Sequence, residues 1–288
     1  MIAIFKHELS SHFKGMSGYV FGAFLLLFTG IYTLVYNLNY YSVSFEPVLG
    51  GISFIFMIIV PILTMRVLAE ERRQKTDQLL YSLPITMTEV ILGKYLAMLV
   101  VFLLPMAIIS FYPLVLSSFG PMNLKMAYCA IVGFFLLGAA LIAMGTLVSA
   151  MTESQSTSAG MCFVVMLLNY FIADFAAFIP SSAVASLVAL AAVVLGLGAL
   201  IWKLTKHTVA ALATSAVLLG GTLAVYIVKP TLYEGLFSTF LGKLSLYQRY
   251  YNILYGEFDI AIVVYYLSVI VIFLFLSIQT LEKRRWSE

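Results

Sequence analysis

The chain has 288 residues, of which 62% are hydrophobic and 10% are charged, and its mean hydropathy is +1.04. An average soluble domain carries roughly a quarter charged residues, so this composition excludes an ordinary soluble protein and predicts a polytopic membrane protein. The formal net charge is +3, and we attribute this small basic excess to membrane topology, not to nucleic-acid binding.

Eight apolar runs are long enough to cross a hydrocarbon core, which takes about 20 helical residues. Their approximate ranges are 18–40, 49–69, 93–117, 125–150, 158–179, 183–202, 208–228 and 259–281. Backbone amides in lipid must be paired within their own segment, and the alternating pattern of a membrane barrel is absent. We therefore expect an all-α polytopic membrane protein, with about eight transmembrane helices in a single domain over residues 1–288.

The basic residues predict the orientation, because cytoplasmic loops retain Lys and Arg. With eight spans and the N-terminus inside, twelve Lys and Arg residues lie on the inner side and four lie outside. This distribution predicts that both termini are cytoplasmic. The first apolar run is too long for the core of a signal peptide, so we expect it to be retained as an anchor.

An amphipathic pattern begins the chain, since Ile2, Phe5, Leu9 and Phe13 recur at helical spacing. This pattern predicts that residues 1–15 form an interfacial helix on the inner membrane surface. A break between Gly15 and Gly18 would then turn the chain into the membrane. The alternative is an ordinary, positively flanked start to the first span.

Residues 70–92 form the longest polar interruption between apolar runs. A dense charge cluster over residues 70–75 precedes a short predicted helix that carries Leu79, Leu80 and Leu83 on adjacent turns. Pro84 ends this helix, because the residue before a proline is pushed out of helical geometry. A cytoplasmic helix with an exposed apolar edge is typical of a site that binds a partner.

A second helix is predicted to follow at once. Thr86 and Glu89 have the spacing of a capping box, in which each side chain accepts a hydrogen bond from the other residue's backbone amide. The helix is therefore expected to begin at Met87 and to continue into the third span. The segment is predicted to be an ordered helix-turn-helix.

The charge cluster followed by TDQLLYSLP and EVILGKYLA resembles the coupling segment of ABC-2-type transporter permeases. The C-terminal run FLFLSIQTLEKRRW is similar to the end of permeases of the gliding-motility-associated subgroup. The resemblance covers spans one to five and the last span. It implies an ABC-2, type V exporter-like architecture: a permease dimer that forms the membrane half of an ATP-driven exporter.

The same resemblance implies a separate cytosolic ATPase, which binds ATP and Mg²⁺ and receives the coupling helix of the permease. Carried over residue by residue, it places at the ATPase contact Thr76, Asp77, Gln78, Leu79, Leu80, Ser82, Leu83 and Pro84. The expected location is the cytoplasmic membrane of a prokaryote, with lipid and an unidentified transported substrate as further partners.

The chain departs from the family pattern in two places. Lys75 stands where family members often have a glycine before the threonine. Six spans are usual, so the hairpin over residues 183–228 is predicted to be an addition. The family also implies short helices over the tyrosine-rich residues 229–258 on the outer side, and an aromatic belt without a gating role is the alternative.

No catalytic pattern is found in the sequence. A phosphate-binding loop needs GxxxxGK followed by Ser or Thr, and neither Gly93-Lys94-Tyr95 nor Gly242-Lys243-Leu244 fits. The three histidines and two cysteines lack the spacing of a metal site or a nucleophile–base pair. We therefore expect a non-catalytic chain that holds no cofactor or metal of its own.

Asp174 is the candidate intramembrane carboxylate, about five residues before Pro180 in the fifth span. It could act in a substrate pathway or a gate, or it could lie at the interface close to outer water.

Two other functions stay open at the level of sequence. An ion-coupled secondary transporter would normally carry several ionisable groups near mid-membrane and often an inverted repeat. A membrane scaffold without transport activity is the second alternative.

Overall fold

The computed structural model describes residues 1–75, 85–178, 182–205 and 229–285, and positions 180, 216, 218–220, 222 and 226. The predicted coupling residues 76–84 and most of the predicted seventh span lie outside these described residues. The chain divides into two compact units. Unit 1 comprises Met1–Leu168 and Arg249–Glu288, and unit 2 comprises Asn169–Gln248.

All regular elements of the described residues are helical. In chain order they are α1 (Ile2–Lys14), α2 (Ser17–Thr33), a π-helix (Leu34–Asn39), α3 (Glu46–Thr64), α4 (Ala69–Arg73), α5 (Met87–Ile109), α6 (Tyr112–Ser117), α7 (Leu124–Met151), α8 (Gln155–Phe178), α9 (Ala183–Thr205), a 3-10 helix (Pro230–Tyr233), α10 (Leu236–Leu244), α11 (Leu246–Leu254) and α12 (Ile260–Arg285).

Six helical stretches of the described chain are long and apolar enough to cross a membrane. They are Ser17–Asn39, Glu46–Arg73, Met87–Ser117, Leu124–Met151, Gln155–Phe178 and Ile260–Arg285. They match predicted spans one to five and eight, and the apolar stretch Ala183–Leu195 matches the start of the sixth. The all-α polytopic prediction is confirmed, and the count of eight spans stays a prediction.

Helix α7 is the centre of unit 1, where it packs against α3, α5 and α12. Its glycines make this close packing possible. A Cβ atom at Gly138 would lie 2.5 Å from ring atoms of Phe102, and one at Gly145 would lie 2.5 Å from Thr64 Oγ1. These small residues therefore serve helix packing.

Aromatic rings fill the core beside Gly138. The Phe56 and Phe134 rings stack with centroids 4.5 Å apart, and Phe102 meets Phe56 edge-on at 5.6 Å. Phe21 of α2 also meets Phe102 edge-on, at 6.0 Å. Four spans therefore share one continuous aromatic core.

The spans of unit 1 alternate in direction, so the start of α1 and the end of α12 lie at the same end of the helix bundle. We call this the basal end. It also holds α1, α4, the start of α5 and the end of α7. Among the described residues of unit 1, the basal end carries ten Lys and Arg residues, whereas the opposite, distal end carries Lys125 and Arg249.

Unit 2 contains the end of α8 together with α9, the 3-10 helix and α10, and α11 begins there. Asn169 Oδ1 accepts a hydrogen bond from the Leu246 amide at 3.2 Å, and the Tyr170 and Tyr247 rings meet edge-on at 4.9 Å. The short helices expected over residues 229–258 are therefore present. Their location outside the membrane stays a prediction.

Candidate functional site

The structure describes both flanks of the predicted coupling segment. On its N-terminal side, α4 ends in a turn in which the Lys75 amide donates to the Arg72 carbonyl at 3.0 Å. Lys75 has φ of +55°, in the left-handed region that favours glycine. The lysine thus adopts the backbone conformation that a glycine at this position would adopt readily.

On the C-terminal side, the predicted capping box is confirmed. Thr86 Oγ1 accepts from the Glu89 amide at 3.3 Å, and Glu89 Oε2 accepts from the Thr86 amide at 3.4 Å. Helix α5 begins at Met87, as expected. The return helix is therefore fixed at its first turn.

A buried ionic cluster lies between these two flanks. Lys94 of α5 is 1% exposed, and its Nζ donates to Glu8, to Glu71 Oε1 at 2.6 Å and to the Val67 carbonyl at 2.9 Å. A lysine ammonium has three donors, so each of them has an acceptor. We call Lys94, Glu8, Glu71 and the Val67 carbonyl the Lys94 cluster.

The Lys94 cluster joins three helices that are separate in sequence. Glu8 belongs to α1, Glu71 to α4 and Lys94 to α5. Removing one partner of a buried ion pair typically costs about 3–5 kcal/mol, because the other charge stays buried and uncompensated. The cluster therefore closes residues 71–94 into a loop whose two arms are firmly tied.

Helix α1 is fixed against α5 by further contacts. Gly93 allows a close approach, since a Cβ there would lie 3.2 Å from an Ile4 methyl carbon. His12 is buried, and its Nδ1 lies 3.1 Å from Ser17 Oγ. Burial lowers the pKa of His12 below its ordinary value; Glu8 opposes this shift, whereas Lys94 and Arg66 add to it.

The N-terminal flank is also tied to the core. Ser149 Oγ of α7 accepts hydrogen bonds from the amides of Leu68 and Ala69, both at 3.2 Å, at the start of α4. Arg72 Nη1 donates to the Thr152 carbonyl at 2.7 Å. Movement of α4 would therefore be passed directly to the end of α7.

Comparison with known proteins identifies the family of the chain. A family model described as ABC-2 family transporter protein matches residues 31–229, more than two thirds of the chain. The chain belongs to this family. It is therefore a multi-pass membrane permease, the transmembrane component of an ABC transporter. No curated protein matches the chain.

The matched range of this ABC-2 permease includes the predicted coupling residues 76–84. Because those residues lie outside the described part of the chain, their docking role stays a prediction. The structure describes the two residues that flank them, the left-handed turn at Lys75 and the capping box at Thr86.

Sequence reasoning did not identify the Lys94 cluster of the permease. Lys94 entered the sequence predictions as an inner-side charge and in a rejected phosphate-loop match, although it lies in an apolar stripe with Val90, Met98 and Val101, all of which are buried. This stripe was a detectable signal of a buried lysine. Its partner Glu8 was not detectable, because it is 86 residues away in sequence.

The other predicted site residue, Asp174, lies in the last turns of α8 and is exposed. That position suits a carboxylate near a helix end at the membrane–water boundary. A pathway or gating role for Asp174 stays a prediction.

Proposed function

We propose that this ABC-2 permease is the membrane half of an ATP-driven exporter that works as a dimer with a separate cytosolic ATPase. The dimer would pair two copies of the chain, or one copy with a paralogue, in the cytoplasmic membrane of a prokaryote. The similarity of residues 273–286 to gliding-motility-associated permeases supports that subgroup.

The charge distribution supports a cytoplasmic basal end. Among the described residues of unit 1, the basal end carries ten basic residues and the distal end carries two. This asymmetry is expected when the basal end is cytoplasmic and the distal end is external. Both chain termini and the coupling segment would then face the compartment that contains ATP.

The ATPase would dock on residues 76–84, through the apolar edge of Leu79, Leu80 and Leu83. The observation that carries the proposal is the closed loop made by the Lys94 cluster. Residues 76–84 follow α4 and precede α5 in the chain, and Glu71 and Lys94 join these two arms at 2.6 Å. A push on the segment would therefore displace both arms together instead of spreading them apart.

The displaced arms would carry neighbouring helices with them. Helix α4 ends the same span as α3 and is hydrogen-bonded to α7, and α1 is joined to α5 through Glu8. We further propose that closure of the ATPase pair re-tilts the first, second and fifth spans around a pathway at the permease dimer interface. Asp174 in the fifth span is a proposed pathway or gating carboxylate.

The position of the charged residues favours this mechanism over ion coupling. Among the described residues of the six spans, all Asp, Glu, Lys and Arg side chains lie within about two helical turns of a helix end. An ion-coupled transporter would normally carry several such groups near the middle of the membrane.

The docking assignment is tested by changing Leu79 and Leu80 together to Asp. The tagged permease is purified from its native membrane, and Mg²⁺-dependent ATP hydrolysis is measured in the purified sample. We expect the double Asp variant to insert normally and to lose the co-purifying ATPase activity. The matched control changes both residues to Met, which nearly conserves apolar volume, and should keep that activity. Equal ATPase recovery with the double Asp variant would contradict the assignment.

A further inference from the structure

Helix α1 docks on the rest of unit 1 through one narrow face. Ile4, Glu8 and His12 recur every four residues along this face. Ile4 lies against Gly93 of α5. Glu8 pairs with Lys94 of the same helix, and His12 is buried. Two of these three docking residues are polar, so α1 does not dock through its most apolar side.

The apolar side of α1 lies at the surface of unit 1. Its members, which we call the α1 stripe, are Ile2, Phe5, Leu9 and Phe13. Ile2 is 68% exposed, and the other three are half-buried. A surface helix of a soluble protein normally turns such a stripe toward the core. The described residues of unit 1 therefore leave the α1 stripe only partly covered.

The α1 stripe is continuous with the exposed apolar face of the first span. The Phe13 and Tyr19 rings meet edge-on across the turn between α1 and α2, with centroids 5.4 Å apart. Tyr19 is 61% exposed, and the exposed face continues along α2 through Val20, Phe24 and Leu27. Because α2 begins a stretch that can cross the membrane, Tyr19 lies at the level where tyrosines meet the bilayer surface. The same bilayer surface therefore reaches the α1 stripe.

Two lysines run along the edge of the α1 stripe. Lys6 and Lys14 are exposed and share one row of the helix, with Ser10 between them. Lys6 follows Ile2 by four residues and precedes Leu9 by three. Its apolar stem can therefore lie along the stripe while its ammonium group reaches the level of the lipid head groups.

The exposed surface of α1 carries positive charge without a negative counterpart. Glu8 is the only acidic residue of this helix, its side chain is 13% exposed, and its carboxylate is bound to Lys94. The ion pairs of the described residues involve neither Lys6 nor Lys14. A basic residue near an anionic membrane surface strengthens the attraction about fivefold. The charge of α1 therefore fits anionic head groups better than zwitterionic ones.

We propose that α1 is a binding surface for anionic phospholipid. The acyl chains lie along the α1 stripe, and the phosphate groups pair with Lys6 and Lys14. Bound lipid holds α1 at the level of the bilayer surface, where Glu8 meets Lys94. This binding does not depend on the docking of the ATPase.

The test uses two photoreactive phospholipids with identical acyl chains, which carry a diazirine close to the head group. One probe is an anionic phosphatidylglycerol, and the other is a zwitterionic phosphatidylcholine. Each is added to the purified full-length protein in nanodiscs of unlabelled phosphatidylcholine, and labelled residues are located by mass spectrometry. Labelling of residues 260–276, an apolar part of the last span without basic residues, is the reference for each probe. Relative to it, residues 2–14 should prefer the anionic probe about 5–30-fold, the effect of one or two lysines.

A pair of double variants isolates the role of the two lysines. Lys6→Gln with Lys14→Gln should remove the preference for the anionic probe, while the choline probe still labels residues 2–14 because the stripe is intact. The matched control, Lys125→Gln with Lys229→Gln, removes two exposed lysines outside α1 and should keep the preference. Excess soluble glycerol 3-phosphate should leave the preference unchanged, because it offers the phosphate without the chains.

Three results would overturn the proposal. Equal labelling of residues 2–14 by the two probes would show an unselective lipid contact. Absence of labelling there would mean that another protein chain covers the α1 stripe. Loss of the preference in soluble glycerol 3-phosphate would show a site for a free phosphate compound instead of a lipid. None of these results would bear on ATPase docking, which is measured separately by co-purification.

Discussion

The Lys94 cluster at the basal end of unit 1 and the Thr33–Asn37 turn at its distal end differ in how their buried polar atoms are paired. At the basal end, Lys94 is 1% exposed, and all three of its ammonium donors have acceptors. At the distal end, Thr33 and Asn37 are nearly as buried, yet one oxygen of each has no partner among the described residues.

This difference separates a strongly restrained part of unit 1 from a more weakly restrained one. A fully satisfied buried cluster holds its helices in one arrangement, because any other arrangement leaves a charge uncompensated. An unpaired acceptor adds no such restraint, because it has no hydrogen bond to lose when its helix moves. The Lys94 cluster is therefore suited to transmit movement, and the two unpaired oxygens leave the end of the first span less restrained.

The largest expected effect is that of Lys94→Met. The substitution leaves Glu8 and Glu71 close together without their shared cation, so we expect stability to fall by about 3–5 kcal/mol. Denaturant unfolding of the detergent-purified protein measures this loss. Changing Glu8 and Glu71 to Gln in the Lys94→Met background should restore much of the lost stability. An unchanged unfolding midpoint for Lys94→Met alone would show that the Lys94 cluster does not restrain its helices.

The packed core that joins the two ends is tested by Gly138→Ala. Its Cβ would lie 2.5 Å from the buried Phe102 ring, so overpacking should destabilise the protein by about 1–3 kcal/mol. Gly160→Ala is the matched control, because no atom lies within 4 Å of its Cβ position. That change should be neutral or stabilising by up to about 1 kcal/mol. Equal thermal stability of the two variants would argue against a tightly packed core.

A pH dependence is expected at His12, beside the Lys94 cluster. Its pKa is lowered in the folded protein, so the unfolded chain binds this proton more readily. The contribution of His12 to stability should therefore be greatest above the ordinary histidine pKa of about 6.5. It should decrease as the pH falls from there to the lowered pKa of the folded protein, and it should change no further below that value. Thermal unfolding across this range should show a weaker decline for His12→Gln, whereas His7→Gln, on an exposed residue of the same helix, should keep the wild-type decline.

The smallest effect is expected for Thr33→Val at the distal end. Removing a buried hydroxyl that has no partner should change stability by less than about 1 kcal/mol, and in the stabilising direction. Thermal unfolding measures this difference. A loss comparable to that of Lys94→Met would mean that Thr33 is paired, and the contrast between the two ends would fail.

Local features were predictable from the sequence. The six apolar spans, the capping box at Thr86 and Glu89, and the helix over residues 1–15 depend on periodicity or on neighbours three to four residues apart. The turn at Lys75 was predictable only as a departure from the family pattern. In the structure, Lys75 adopts a left-handed backbone conformation.

Features that depend on distant contacts were not predictable. The Lys94 cluster pairs residues 86 and 23 positions apart, and the burial of Tyr250 depends on packing against Phe134. Sequence placed Tyr250 in an interfacial, tyrosine-rich segment, but it is fully buried. The first span ends in a π-helix, and Asn37 donates to the carbonyls of the following loop; the apolar pattern of the span gives no signal for either feature.

The central claim is that the Glu71–Lys94 contact passes movement from the docked ATPase to the spans. Its most direct test compares amide hydrogen exchange in the distal loops, residues 40–45 and 118–123, with and without Mg²⁺-ATP. The co-purified complex is prepared as wild type, as Glu71→Gln and as the control Arg66→Gln, whose exposed ion pair with Glu70 spans 3.8 Å. We expect ATP to change exchange in the wild type and in Arg66→Gln but not in Glu71→Gln, although each retains the ATPase. A wild-type response in Glu71→Gln would contradict the claim.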